Sequence, residues 1–216
     1  MKQKTYFSLV MVIILVLSSC IGISSTITLN RDGSGTMLLI YRIPQTLESL
    51  GKLDGNERWL PIPVGKADFE RTLDRLPGMS LGSFSSKKDG TDLIIQIGLE
   101  FDHIDALTRF LDATGQEAAL VQEKGVNRLS LTLSGGISDP DPELVSLVSL
   151  LAGGYEVELS FTLPEEGAIT LYSGKGVPLD SFPGGNITAR GKELSFKAPM
   201  VEVLSSSEGL RLEIRW

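Results

Sequence analysis

Residue types that commonly carry catalysis are sparse in this chain, and their spacing limits what they can do. His103 is the only histidine and stands between Asp102 and Asp105, where an alternating run gives way to a helical one. A general base needs a nucleophile beside it, and no G-x-S-x-G elbow accompanies this histidine, so its setting is that of a hydrogen-bonded loop or helix-start residue. Cys20 is the only cysteine, which excludes an intramolecular disulfide and leaves no thiol nucleophile or cysteine-based metal site in the rest of the chain. Zinc sites use three or four nitrogen or sulfur ligands, more than one His and one Cys can supply. Asp139, Asp141 and Glu143 form the densest acidic cluster, but Pro140 and Pro142 interrupt it. It lacks the calcium-loop spacing and suits the positive end of a helix that starts there. Neither Gly174-Lys175-Gly176 nor Gly184-Gly185 precedes a helix bearing a Lys-Ser/Thr pair, so neither is a phosphate loop. No catalytic residue, metal or cofactor is assigned. Dispersed Asp and Glu residues leave one rival open, a hydrolase or carbohydrate-active enzyme, because the separation of a carboxylate pair is a property of the fold.

The elements that position these groups follow from hydrophobic periodicity. Thr26 to Asn30 and Thr36 to Ile43 are β-rich runs joined by Arg31-Asp32-Gly33-Ser34-Gly35, which predicts a hairpin. A short helix is expected near residues 45–50. Phe69, Leu73 and Leu76 fall at i, i+4 and i+7, giving an amphipathic helix from Lys66 to Leu76 that Pro77-Gly78 stops. A second hairpin spans Met79 to Ser86 and Asp92 to Phe101 across a Lys87-Lys88-Asp89-Gly90 turn. Ile104, Leu107, Phe110 and Leu111 then repeat at helical spacing between Asp102 as cap and Gly115. A third hairpin joins Ala118 to Glu123 with Asn127 to Leu133, and Leu144, Leu147, Val148 and Leu151 stripe a further helix. Tyr155 to Leu163 alternates with period two, which favours burial of Tyr155 and Phe161 over ligand stacking. Turns are expected from Ser173 to Gly185, then a hairpin of Asn186 to Arg190 and Glu193 to Ala198, a short helix from Pro199 to Leu204, and a last strand from Leu210 to Trp216. Hairpins alternating with helices predict an α+β fold, a largely antiparallel sheet with amphipathic helices on one face. Residues 24–216 carry no linker-like tract and are taken as a single domain.

Composition narrows the function classes. The chain has 216 residues, 42% of them hydrophobic, which is enough for a core and argues against disorder. Twenty Lys and Arg against 27 Asp and Glu give a net charge of −7, so a nucleic-acid partner is not expected and no overall electrostatic attraction draws the chain to anionic headgroups.

Residues 1–20, MKQKTYFSLVMVIILVLSSC, place Lys2 and Lys4 ahead of an apolar run from Phe7 to Leu17. About eleven apolar residues suit an export signal, whereas a spanning helix needs roughly 20. The run ends in Leu17-Ser18-Ser19-Cys20, and here the sequence resembles a bacterial lipoprotein signal peptide with its lipobox. The resemblance implies acylation of the Cys20 thiol, removal of residues 1–19, and a short tether at residues 20–23. It also implies a membrane anchor made of acyl chains, at the outer membrane if the organism has one, since residue 21 is Ile and not Asp. Loss of Lys2 and Lys4 without any acidic residue carries the charge from −7 to −9.

The lipobox, the Asp32-Gly33-Ser34-Gly35 hairpin, the interior hairpin-helix units, the strand ending Leu163-Pro164 and the strand around Asn186 to Phe196 together resemble the LppM-type domain of bacterial lipoproteins. That resemblance implies an α+β domain associated with lipid or glycolipid binding, with no catalytic residues to carry over. The expected function is thus an exported, membrane-anchored envelope lipoprotein with a non-enzymatic binding or structural role toward a lipid or an envelope protein partner. Apolar ligand-facing candidates are Phe69, Leu73, Ile104, Leu107, Leu144, Leu147 and Leu151, which would equally well form a core.

Overall fold

The computed structural model describes residues 22–44, 65–113, 117–123, 125–134 and 153–216. The expected lipobox at Leu17, Ser18, Ser19 and Cys20, the short helix near 45–50, the acidic cluster at 139–143 and the stripe of Leu144, Leu147 and Leu151 lie outside the described residues. Within them, strands take 56% of residues and three helices 15%, so the fold is mixed α+β with strands dominant.

Among the described residues, twelve strands form two sheets. The larger takes β1 (Ile23–Leu29), β2 (Gly35–Pro44), β3 (Met79–Asp89), β4 (Asp92–Phe101), β7 (Glu156–Thr162), β10 (Asn186–Arg190) and β11 (Glu193–Pro199), in the order β10-β11-β7-β1-β2-β4-β3. All its pairings are antiparallel except β1 with β7. The smaller is β5 (Ala118–Glu123), β6 (Val126–Ser134), β12 (Leu210–Arg215), β8 (Ala168–Ser173) and β9 (Pro178–Leu179), in the order β5-β6-β12-β8-β9 and antiparallel throughout. Sequence periodicity predicts one sheet. The second arises because β6 leaves its hairpin partner on one side and pairs on the other with β12, about 80 residues later, a choice that the alternation of β6 does not encode.

Period-two alternation sets which face of each sheet is apolar. In β4, Leu93, Ile95, Ile97, Leu99 and Phe101 are buried, and register places Leu99 beside Met37, Met37 beside Ile27, and Ile27 beside Phe161. The smaller sheet contributes Leu129, Leu131, Leu171, Leu212 and Ile214 to the same contiguous core. The opposite face of the larger sheet is mainly polar, with Thr26, Thr36, Gln96 and Glu100 exposed and Leu38 an exposed apolar exception. Gly35 is fixed by packing: a Cβ there would lie 2.0 Å from the Thr28 carbonyl oxygen and 2.5 Å from the Phe101 ring.

Local elements depart from expectation at their ends. Helix α1 is Lys66–Leu73, three residues shorter than predicted; the chain tightens through Arg75 N–H to Thr72 O and Leu76 N–H to Leu73 O. Its start is closed by the Asp68 carboxylate, which accepts from Gly65 N–H at 3.1 Å. The second hairpin turns at Gly90-Thr91, with Gly90 at φ 60°, so Lys87, Lys88 and Asp89 extend β3 instead of forming the turn. Cross-strand pairing continues to Asp89–Asp92, and a two-residue turn with positive φ matches the twist of the flanking strands. Helix α2 is Ile104–Ala113 and starts two residues after Asp102; α3 is Met200–Leu204. Strand β8 (Ala168–Ser173) has no expected counterpart, because it is short and follows a Pro- and Gly-containing stretch.

Candidate functional site

Three concavities in the described part of the surface have volumes of about 520, 390 and 350 Å³. The largest is built where the two sheets bring their ends together. The β1–β2 turn supplies Asn30, Arg31, Asp32 and Gly33; the β5–β6 hairpin supplies Gln122 and Asn127; Pro164 and Glu165 follow β7, and Trp216 follows β12. Leu29 and Ile104, the first residue of α2, add apolar lining.

Each polar group is held by local chemistry. Asp32 accepts from the Ser34 hydroxyl at 2.7 Å and the Ser34 N–H at 3.0 Å, while Asn30 donates through Nδ2 to the same hydroxyl at 3.0 Å. The Ser34 hydroxyl, and after it the Ser34 N–H, hold the Asp32 carboxyl below the usual carboxylate range, so it presents a negative charge at neutral pH. Gly33 closes this turn at φ 85°, where a side chain would be strained. Asn127 and Trp216 are locked together by Asn127 N–H to Trp216 O at 2.8 Å and Trp216 N–H to Asn127 O at 3.1 Å. Gln122 donates from Nε2 to Asn127 Oδ1 at 2.9 Å, which leaves the Asn127 amide hydrogens and the Gln122 carbonyl oxygen for a ligand. The loop carrying Glu165 is pinned by Lys192, whose ammonium donates to the Pro164 carbonyl at 2.7 Å. Acceptors from Asp32 and Glu165, donors from Arg31 and Asn127, and a half-buried indole make a lining suited to a hydroxyl-rich or amide-bearing polar ligand.

Of the sequence-predicted apolar candidates among the described residues, Ile104 reaches this cleft and Phe69, Leu73 and Leu107 do not. Leu107 is 0% exposed, and Phe69 and Leu73 are 3% and 7% exposed; all three belong to the hydrophobic core. Phe69 stacks at an angle on Tyr41 and Phe84, with ring centroids 6.4 and 6.0 Å apart. Ile104 borders the large cleft, and Leu73 borders the 350 Å³ concavity beside Pro77. His103 is exposed and lies against Gly78 and 3.5 Å from the Arg109 guanidinium, outside the lining of the cleft. Phe161 is buried, and the Tyr155 hydroxyl approaches Asp92 at 3.5 Å. Among the described residues no group of three or more His, Cys, Asp and Glu is arranged to hold a metal ion, and no helix is long and apolar enough to cross a membrane.

No sequence motif marks the cleft, because its residues come from segments far apart in the chain. The local signs are slight: Asn30 directly follows β1, Asn127 is the second residue of β6, and Glu165 lies three residues past β7. A second arrangement has no sequence motif either. On the polar side of the smaller sheet, Glu213 is bracketed by Arg215, whose Nε donates at 2.6 Å, and by Arg128 at 3.8 Å. Arg211, two residues before Glu213, lies over the Tyr172 ring at 5.1 Å.

No protein-family model, curated protein or solved structure matches the chain.

Proposed function

We propose that the protein is a lipid-anchored envelope protein whose cleft binds a polar, hydroxyl-rich ligand or the polar surface of an envelope partner, without chemistry on it. The cleft itself carries the reading: an indole, three amide side chains and an ionised carboxylate converge in about 520 Å³, while Phe69, Leu73 and Leu107 are taken up by core packing. For a lipid or glycolipid this favours recognition of the headgroup over enclosure of the tail. The anchor rests on the lipobox pattern at Leu17 to Cys20, and β1 begins at Ile23, so loss of residues 1–19 spares every described strand. Likeness to the LppM-type domain belongs to the same proposal, as does a placement of the amphipathic helices over the apolar face of the larger sheet.

The test is intact mass analysis of protein purified from native membranes, with extraction of bound molecules. Absence of residues 1–19, acyl mass on Cys20 and a co-purifying glycan-bearing or headgroup-bearing molecule support the reading. An uncleaved, unmodified N-terminus overturns the anchor, and unchanged retention of the molecule by Trp216→Ala overturns the cleft.

One observation favours the hydrolase reading: Asp32 and Glu165 line the same cleft. Asp32 is held ionised, which suits a nucleophile or electrostatic stabiliser and not a proton donor. Turnover of a glycoside that both Asp32→Asn and Glu165→Gln abolish would establish it.

A further inference from the structure

Gly22, the first described residue, is hydrogen-bonded to the larger sheet just ahead of β1. Gly22 donates its N–H to the Glu156 carbonyl at 3.1 Å, and its own carbonyl accepts from Arg42 N–H at 3.0 Å. Two peptide units separate Gly22 from Cys20, a reach of at most about 7 Å. An acyl anchor on Cys20 therefore leaves almost no slack between the bilayer surface and this end of the sheet.

Register shows what else stands at that end. Ile23 is level with Tyr41, Tyr41 with Ile95, and Ile95 with Ser86. The β3–β4 hairpin continues past this line through Lys87, Lys88 and Asp89 to its Gly90-Thr91 turn. Lys88 is thus two residues beyond the level of Ile23, close to the depth that Cys20 can reach. Asp89 is drawn to Arg42 at 3.1 Å, whereas Lys87 and Lys88 are exposed and make no ion pair among the described residues. Leu204, 40% exposed at the end of α3, belongs to this end too, because Met200 N–H bonds the Tyr155 carbonyl just ahead of β7. The cleft lies at the other end of β1, beyond seven residues or about 23 Å of strand.

From this geometry we infer that the short tether stands the domain upright on the bilayer, with the β3–β4 hairpin tip and Lys88 at headgroup level and the cleft facing away from the anchoring membrane. The partner of the hairpin end is the lipid surface that holds the acyl chains, and the ligand reaches the cleft from the aqueous side. This inference rests on the anchor reading above. The overall negative charge does not oppose it, since attachment comes from the acyl chains and the lysines need only meet headgroups already within reach.

The test uses acylated full-length protein in phosphatidylcholine vesicles doped with a headgroup nitroxide lipid. Because Cys20 is the only cysteine and is acylated in this reading, Lys88→Cys, Leu204→Cys and Val126→Cys each offer one thiol for a fluorophore. Val126 reports from the cleft end, next to Asn127. Labels at 88 and 204 should be quenched several-fold more than the label at 126. Equal quenching, or the reverse order, overturns the inference. Inserting a flexible Gly/Ser segment of about 12 residues, roughly 20 Å in mean span, between Cys20 and Gly22 should abolish the difference while vesicle flotation persists. A difference that survives the insertion shows that the tether does not set the orientation. Failure to float, with no acyl mass on Cys20, removes the anchor reading itself, so the two failures are distinguishable.

Discussion

Leu107→Ala separates a filled interior from an apolar ligand cavity. Leu107 is 0% exposed on α2 and belongs to the contiguous core. Truncation of a fully enclosed leucine removes its burial energy and leaves a void, which costs about 2–5 kcal/mol. A complete lack of exposure places this site near the middle of that range, about 3 kcal/mol. For a protein of this size a loss of 3 kcal/mol lowers Tm by roughly 6–12 °C. The assay is urea denaturation of the protein followed by circular dichroism, with the slope compared between variants so that a changed midpoint reads as changed stability. Leu107→Met, which conserves volume, should lose less than about 1.5 kcal/mol. If Leu107 instead faced an open cavity, one side of the leucine would already lack neighbours, and its truncation would cost well under about 1 kcal/mol while changing uptake of an apolar dye. A loss that small in Leu107→Ala, together with altered dye binding, would refute the assignment of this helix face to the core.

Three further outcomes follow from the charged and polar groups. Ser34→Ala removes the main cause that depresses the Asp32 carboxyl, so its titration, followed by carboxyl carbon NMR, should move up toward the ordinary aspartate value. An unmoved titration would mean that the hydroxyl is not the cause. Glu213→Gln leaves Arg215 and Arg128 facing a neutral amide; because both guanidinium groups are over 40% exposed, the loss should be about 1–2 kcal/mol by urea denaturation, below the range for a fully buried pair. Burial, and after it the charge of Asp68, push the Tyr41 phenol well above its ordinary value. The unfolded chain releases that proton above about pH 10 and the folded one does not, so this contribution is complete below pH 10 and is lost as pH rises. Tyr41→Phe should accordingly flatten the decline of stability between about pH 10 and 12, and equal slopes in the two proteins would count against the assignment.

Local strand periodicity was legible wherever polar and apolar residues alternate. β4, β7 and β12 follow from alternating residues that pack on one side of a sheet, and Gly33 and Gly90 mark turns where positive φ is required. Helix ends were less legible. The Phe69, Leu73, Leu76 stripe extends past the end of α1 because Leu76 remains half-buried after the helix has tightened into a turn. The hairpin at Lys87 to Gly90 reads as a four-residue polar loop, yet cross-strand bonding carries the ladder to the last two residues before the reversal.

Sequence by itself determined which side of β4, β7 and β12 is apolar, that Gly33 and Gly90 stand at chain reversals, and that one cysteine follows a short apolar run, because these depend on neighbours a few residues apart. Tertiary structure alone decided that β1 lies beside β7 and β6 beside β12, since backbone hydrogen bonding is the same for any strand and pairing is chosen by the fit of whole faces. It also decided the cleft. Asn30, Gln122, Glu165 and Trp216 are separated by dozens of residues and share no motif, and they meet only because two sheets end at the same level.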